Sequence, residues 1–93
     1  MNYALIYHAE VKKTDLRELD AHTRDVIKRA IETRLAVSPE KYSRPLKRSL
    51  KGYWRLGVGD YRIVFKIQGS TILILGILHR SKIYQQVGRR RVE

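Results

Sequence analysis

Cysteine is absent from this 93-residue chain. That removes disulfides and thiolate metal sites, and it fits a reducing cytosol. Histidine is sparse as well. Three scattered imidazoles with no thiol argue against a zinc-type ligand cluster. No long apolar run exists: the longest, Ile72 to Leu78, falls far short of the roughly 20 residues a membrane span needs. The opening MNYALIYHAE has too short an apolar stretch, and no cleavage pattern, for a secretory leader. These absences predict a soluble cytoplasmic protein without membrane partners, metal or other cofactor. One domain over residues 1–93 is expected, with a thin single core.

Acidic residues are scarce in one part of the chain only. Residues 1–40 hold seven Lys/Arg and seven Asp/Glu, whereas residues 41–93 hold thirteen Lys/Arg against Asp60 and Glu93, and so carry the whole net charge of +11. Self-repulsion on that scale weakens a fold and points to a polyanionic partner, nucleic acid first. No basic amphipathic helix with a large apolar face is visible, which disfavours a membrane surface.

Residues 52–84 organise the rest. Gly59-Asp60 and Gly69-Ser70 each separate two alternating runs, and both are two-residue hairpin signals because glycine accepts the positive φ of such turns. A loop at Gly59-Asp60 pairs Val58 with Tyr61, Leu56 with Ile63 and Trp54 with Phe65, all on one apolar face. The opposite face receives Arg55, Gly57, Arg62 and Val64. Arg62 then faces Gly57, and Arg55 is its diagonal neighbour. Continued through the second turn, the alternation sends Ile72, Ile74 and Leu78 to the apolar face, and Leu73, Leu75, Ile77 and His79 to the arginine face. A strand apolar on both sides is a central strand covered on both sides.

The remainder must cover that sheet. Asn2 to His8 reads as a strand buried beside another central strand. Glu10 to Leu19 reads as a helix. Asp20 caps a second helix, with Val26, Ile27, Ala30, Ile31 and Leu35 as one apolar stripe. Ser38-Pro39 stops it. Glu40 to Lys51 reads as a long basic connection containing Lys41, Arg44, Lys47, Arg48 and Lys51, bordering the strand that holds Arg55. Ser81 caps a short last helix carrying Ile83, Tyr84 and Val87. Gly88 ends it, and Arg89-Arg90-Arg91 reads as a frayed tail. The expected class is α+β: an N-terminal strand, a helix hairpin and a three-stranded antiparallel meander. Together they make one four-stranded sheet with helices on one face and a short C-terminal helix.

Three stretches carry a family resemblance. They are Leu50-Lys51-Gly52, then Arg55 to Val64 with its GDYR turn, then His79-Arg80 followed by Tyr84. In this order the chain resembles the RelE/ParE superfamily of toxins from type II toxin–antitoxin systems, and the RelE branch more than ParE. The resemblance implies metal-independent cleavage of mRNA in the ribosomal A site, and a cognate antitoxin that wraps the toxin. By position it assigns Arg62 to the scissile phosphate, Arg80 to the leaving group and Tyr84 to stacking on the substrate. Arg55 stands at the second of two strand lysines. At the first, proposed as the general base, this chain has Tyr53. Lys47, Lys51 and His79 are then the candidate bases, and an imidazole of pKa about 6.5 suits proton transfer near neutrality.

The residues support that chemistry on their own terms. A guanidinium fork matches two phosphate oxygens and so suits a pentacovalent phosphorane. Against this, a strand arginine is most often merely solvated, and a tyrosine at helical spacing more often packs than stacks. The pairing of Arg55 with Arg62 favours a site, because like charges set together on a sheet cost stability. Candidate catalytic residues are Arg62, Arg80, Tyr84, Arg55 and His79. Lys47, Arg48, Lys51 and Lys82 are candidates for contact with RNA and the ribosome. Leu73, Leu75 and Ile77 form an expected apolar groove for an acidic antitoxin segment. Two other functions stay open: a ParE-like toxin acting on DNA gyrase, and a non-catalytic basic nucleic-acid-binding module.

Overall fold

A computed structural model of the chain describes residues 2–90. Five strands make one sheet: β1 (Ala4–Tyr7), β2 (Arg44–Pro45), β3 (Trp54–Val58), β4 (Tyr61–Gln68) and β5 (Thr71–His79), in the order β1-β5-β4-β3-β2. β1 runs parallel to β5, and every other pairing is antiparallel. The class is the expected α+β. The extra strand is β2: the basic connection doubles back, Arg44 pairs with Arg55, and the Leu46 amide donates to the Tyr53 carbonyl at 2.8 Å. β1 is an edge strand and not a buried one, with Ile6 turned largely to solvent.

Both turns form as the glycines require, with φ of 59° at Gly59 and 61° at Gly69. The first fixes the expected register, Val58 opposite Tyr61, Leu56 opposite Ile63 and Trp54 opposite Phe65. One face of the sheet meets a helical segment over Val11–Asp15 and Leu16–Glu18, followed by α1 (Ala21–Ala30), which widens into a π-turn at Ile31–Leu35. Val11, Ile27, Ile31 and Leu35 pack there on Leu56, Ile63, Phe65, Ile72 and Ile74. Val26 falls outside the stripe and is exposed. Beyond Ser38 the chain makes one helical turn, α2 (Pro39–Tyr42), with proline at its start, where a missing amide is harmless.

The other face is covered as well, which departs from helices on one face only. α3 (Ile83–Arg90) runs straight through Gly88 and lays Ile83 and Val87 on Val64, Leu75 and Leu78, with Leu46, Leu50 and Tyr53 completing a second core. Among the described residues no helix is long and apolar enough to cross a membrane.

β5 breaks the expected alternation. Val64 pairs with Gly76 and Phe65 with Ile74, so a bulge at Leu75-Gly76 inserts one residue. Past it every side chain changes face. Ile77 and His79 lie opposite Ile63 and Tyr61, and Leu78 lies opposite Arg62. Ile77 therefore belongs to the helix-facing core and Leu78 to the second core, the reverse of the uninterrupted count.

Asp20 caps α1 by accepting the Thr23 amide at 2.7 Å, and that bond holds its carboxyl below the usual carboxylate range. Because the folded-state value is depressed, the cap's contribution is present above the unfolded carboxyl value and is lost as pH falls through the folded one. Asp20→Ala lowers Tm at neutral pH, and in paired thermal melts the gap to the parent closes on acidification.

Candidate functional site

The arginine face is divided. Its half nearest α3 is apolar and closed. The half toward β2 carries Arg44, Arg55 and Arg62, which with Tyr42 and Gly57 line a concavity of about 210 Å³. Its geometry follows from the register. Arg55 stands between Arg44 on β2 and Val64 on β4, and Gly57 stands opposite Arg62. The missing side chain at Gly57 is what lets the guanidinium lie flat, since a Cβ there would come within 3.2 Å of Arg62 Nη1. Arg62 Nη1 donates to the Gly59 carbonyl at 2.9 Å and to the Tyr61 carbonyl at 2.8 Å. Those bonds hold the fork against the turn and leave its other donors free for a ligand. Among the described residues no carboxylate lines this concavity.

Arg80 joins the same turn from β5's end. Its amide donates to the Asp60 carbonyl at 2.9 Å, and its Nε stands 4.0 Å from the Asp60 carboxylate. Gly59-Asp60 thus tethers Arg62 on one side and Arg80 on the other. Tyr84, 51 % exposed, rides on the first turn of α3 and does not line the concavity. His79 is not on the arginine face. The bulge turns it toward Tyr61, whose ring it meets edge-on at 5.9 Å, and its Nδ1 accepts the Ser81 amide at 3.2 Å. Lys47, Arg48 and Lys51 are exposed on the connection beside Tyr53 and Trp54, with Arg48 in the left-handed region at φ 57°. Lys82 borders a different cavity, of about 440 Å³, together with His79 and Glu18.

The expected antitoxin groove is closed. Leu75 and Ile77 are buried, on opposite faces, and α3 lies over the Leu73–Leu75 side. Alternation without the bulge grouped three residues that the fold separates.

Sequence reading missed two sets of residues. Asp15 is 2 % exposed, and its carboxylate accepts from Arg90 Nη1 at 2.7 Å, from Arg90 Nη2 at 3.0 Å and from the Ile77 amide at 2.9 Å. Arg90 Nη1 also donates to the Leu75 carbonyl at 3.3 Å. The paired carboxylate keeps the Arg90 guanidinium charged to still higher pH than usual. Arg90 is therefore an anchor and not part of a frayed tail; Arg91 lies outside the described residues. The available signal was Gly76, a lone glycine inside a strand, which marks a bulge or a close approach. The second missed set is Tyr42 and Lys66; Arg44, expected only in the basic connection, is placed on β2 opposite Arg55. Lys66 extends the arginine face, its Nζ standing 5.7 Å from the centre of the buried Tyr53 ring.

The profile of the ParE toxin of type II toxin–antitoxin systems matches residues 5–84. The chain belongs to the RelE/ParE superfamily of type II toxins. Toxin RelE3 of Methanocaldococcus jannaschii is 33 % identical over 73 residues, covering 75 % of this chain and 83 % of that protein. Among solved structures, the RelB–RelE antitoxin–toxin complex of Methanococcus jannaschii contains a chain similar at TM-score 0.66 and 29 % identity, over 86 % of this chain and 95 % of that one. The RelBE2 toxin–antitoxin complex of Mycobacterium tuberculosis contains a chain with the same fold at TM-score 0.79 and 24 % identity, over 86 % of this chain and all of that one.

Two stability measurements test this geometry in the toxin. Arg90→Met leaves the Asp15 carboxylate buried without a counter-charge and lowers the unfolding free energy by about 3–5 kcal/mol. Asp15→Asn combined with Arg90→Met loses less, because no bare charge remains. Arg44→Thr has the opposite effect. Removing one of two facing like charges raises stability by about 0.2–1 kcal/mol, and the gain shrinks with added salt in denaturant titrations.

Proposed function

We propose that this toxin is a ribosome-dependent endoribonuclease of the cytoplasm, cutting mRNA in the A site without a metal ion and so inhibiting translation. The carboxylate-free cluster of guanidiniums set on paired strands is the observation that carries the reading. RNA cleavage by its own 2′-hydroxyl forms a bond from that oxygen to phosphorus and breaks the bond to the 5′-oxygen. The 2′-hydroxyl must give its proton to a base, the phosphorane's charge must be balanced, and the departing oxygen must be protonated or stabilised. Arg62 and Arg55 bind the non-bridging oxygens, donors fixed in advance and therefore effective in the transition state. Arg80, held at the same turn, serves the leaving oxygen. Tyr84 stacks on a base, a contact worth about 1–3 kcal/mol and tolerant of sequence. Lys47, Arg48, Lys51 and Lys82 add phosphate and ribosome contacts. Among the described residues no three His, Cys, Asp or Glu side chains converge to hold a metal ion, and the proposal gives the charge balance to arginine.

His79, turned toward Tyr61, has no part in this assignment. The other candidate bases, Lys47 and Lys51, flank the sheet face that carries Arg55. A cognate antitoxin belongs to the same proposal. It is supported by the Methanococcus jannaschii neighbour, described as an antitoxin–toxin complex, and by a charge of +11 that an acidic segment would offset.

A second reading, action on DNA gyrase as in ParE, is favoured by one observation: the matching profile is that of the ParE toxin. Purified toxin added to ribosomes programmed with a defined mRNA separates the two. The ribonuclease reading expects cuts mapped to the A site. Arg62→Ala and Arg80→Ala each slow them on the order of 10²–10³-fold, the usual loss of one transition-state donor, and relieve growth inhibition. Uncut mRNA together with poisoned gyrase gives the ParE reading. Variants as toxic as the parent at equal expression remove the ribonuclease assignment.

A further inference from the structure

Arg44 and Arg55 face one another directly across β2 and β3, and among the described residues neither meets a carboxylate. Such a pair costs stability wherever nothing anionic sits between the two charges. Beside it stands Tyr42, 46 % exposed, at the C-terminal end of the turn that Pro39 begins. Arg34 and Lys41 approach its ring at 5.9 and 5.4 Å from the centroid. An exposed aromatic ring and three guanidiniums thus line one small concavity, with Gly57 as its floor.

We propose that this concavity is a nucleotide subsite for single-stranded RNA, with a base stacked on Tyr42 and its phosphate held by Arg44, next to the scissile phosphate at Arg55 and Arg62. The argument is chemical. A bare anion would use the guanidiniums but not the exposed ring beside them. An apolar ligand would need the ring and leave three charges unmatched. A nucleotide uses both, because every base has a π-face and every linkage a charge. Arg44 and Arg55 sit on paired strands, and Tyr42 lies two residues before β2 begins, so the backbone brings all three to one place. This rests on the ribonuclease reading, and extends it from one phosphate at Arg62 to a neighbouring nucleotide. Tyr42 and Arg44 act there by holding the strand across the cutting centre.

The test is equilibrium binding of a fluorescently labelled single-stranded hexaribonucleotide to the purified chain, with A-site cutting on programmed ribosomes run in parallel. Tyr42→Ala weakens binding roughly 5- to 150-fold, the loss of one base stack, whereas Tyr42→Phe binds as the parent does. Walking a single abasic position along the hexamer finds one place where Tyr42→Ala has no further effect. Arg44→Gln weakens all sequences alike and lowers the salt slope by about one. Circular dichroism confirms that each variant is folded. If Tyr42→Ala binds RNA like the parent while the parent cuts mRNA, the subsite is wrong and the ribonuclease stands. If binding depends on Tyr42 but no mRNA is cut, the subsite stands and the ribonuclease falls. A chain that binds an acidic peptide through Tyr42 and Arg44, and no RNA, overturns the subsite in favour of a protein partner.

Discussion

The buried pair of Asp15 and Arg90 joins three parts of this toxin at one place. Strand β1 stops pairing at Ile74. Just beyond it, the Leu75 carbonyl and the Ile77 amide flank Gly76 and take Arg90 and Asp15 as partners. A bulge interrupts a ladder, and the backbone groups it frees must be satisfied. Here an ion pair supplies one donor and one acceptor at once. Glycine at position 76 gives the pair room, since a Cβ would stand 3.2 Å from Arg90 Nη1 and 3.1 Å from the Leu78 side chain, and one of them would have to shift. The N-terminal helical segment, the central strand and the last helix are therefore fixed to one another at a single point. α3 carries Tyr84, so the tail's chemistry depends on a contact far from it.

How far the sequence could be read follows from where that point lies. The β3–β4 hairpin was legible because a two-residue glycine turn sets its register by counting, and Arg62 over Gly57 came with it. The Asp20 cap and the Ser38-Pro39 stop were legible because both are local. Past Gly76 the count failed, and Ile77, Leu78 and His79 changed faces together. A one-residue insertion inside an apolar run leaves hydrophobicity unaltered on both sides, so periodicity carries no trace of it. The ion pair was illegible for another reason. Its partners are separated by 75 positions, and Arg90 sat in a run of arginines that resembled a solvated tail.

The same bulge makes the arginine face usable. Leu78 fills the position opposite Arg62 and joins Val64 and Leu75 under α3. The apolar half of the face is thereby sealed by the chain itself, and the half toward β2 stays open. Burial of Ile83 and Val87 provides the hydrophobic contribution that a thin second core needs. The cationic half adds no such term and carries mutual repulsion besides. A surface that lowers stability in the free protein and lacks its own counter-charges is suited to an anionic ligand, because binding removes the repulsion that folding left in place.

The Gly59-Asp60 turn completes the logic. Two arginines reach it: Arg62 on β4, whose guanidinium donates to the Gly59 and Tyr61 carbonyls, and Arg80 just past β5, whose amide donates to the Asp60 carbonyl and whose exposed Nε stands 4.0 Å from the Asp60 carboxylate. A guanidinium on a free side chain loses rotamer entropy when it binds, whereas one already bonded to backbone has lost much of it in folding. Asp60 is also the sole acid between residues 41 and 92, and it stands by Arg80 and not beside the Arg44–Arg55–Arg62 cluster. Asp60 is thus left on the tail arginine's side of the turn, and among the described residues no carboxylate lines the concavity to offset its positive charge.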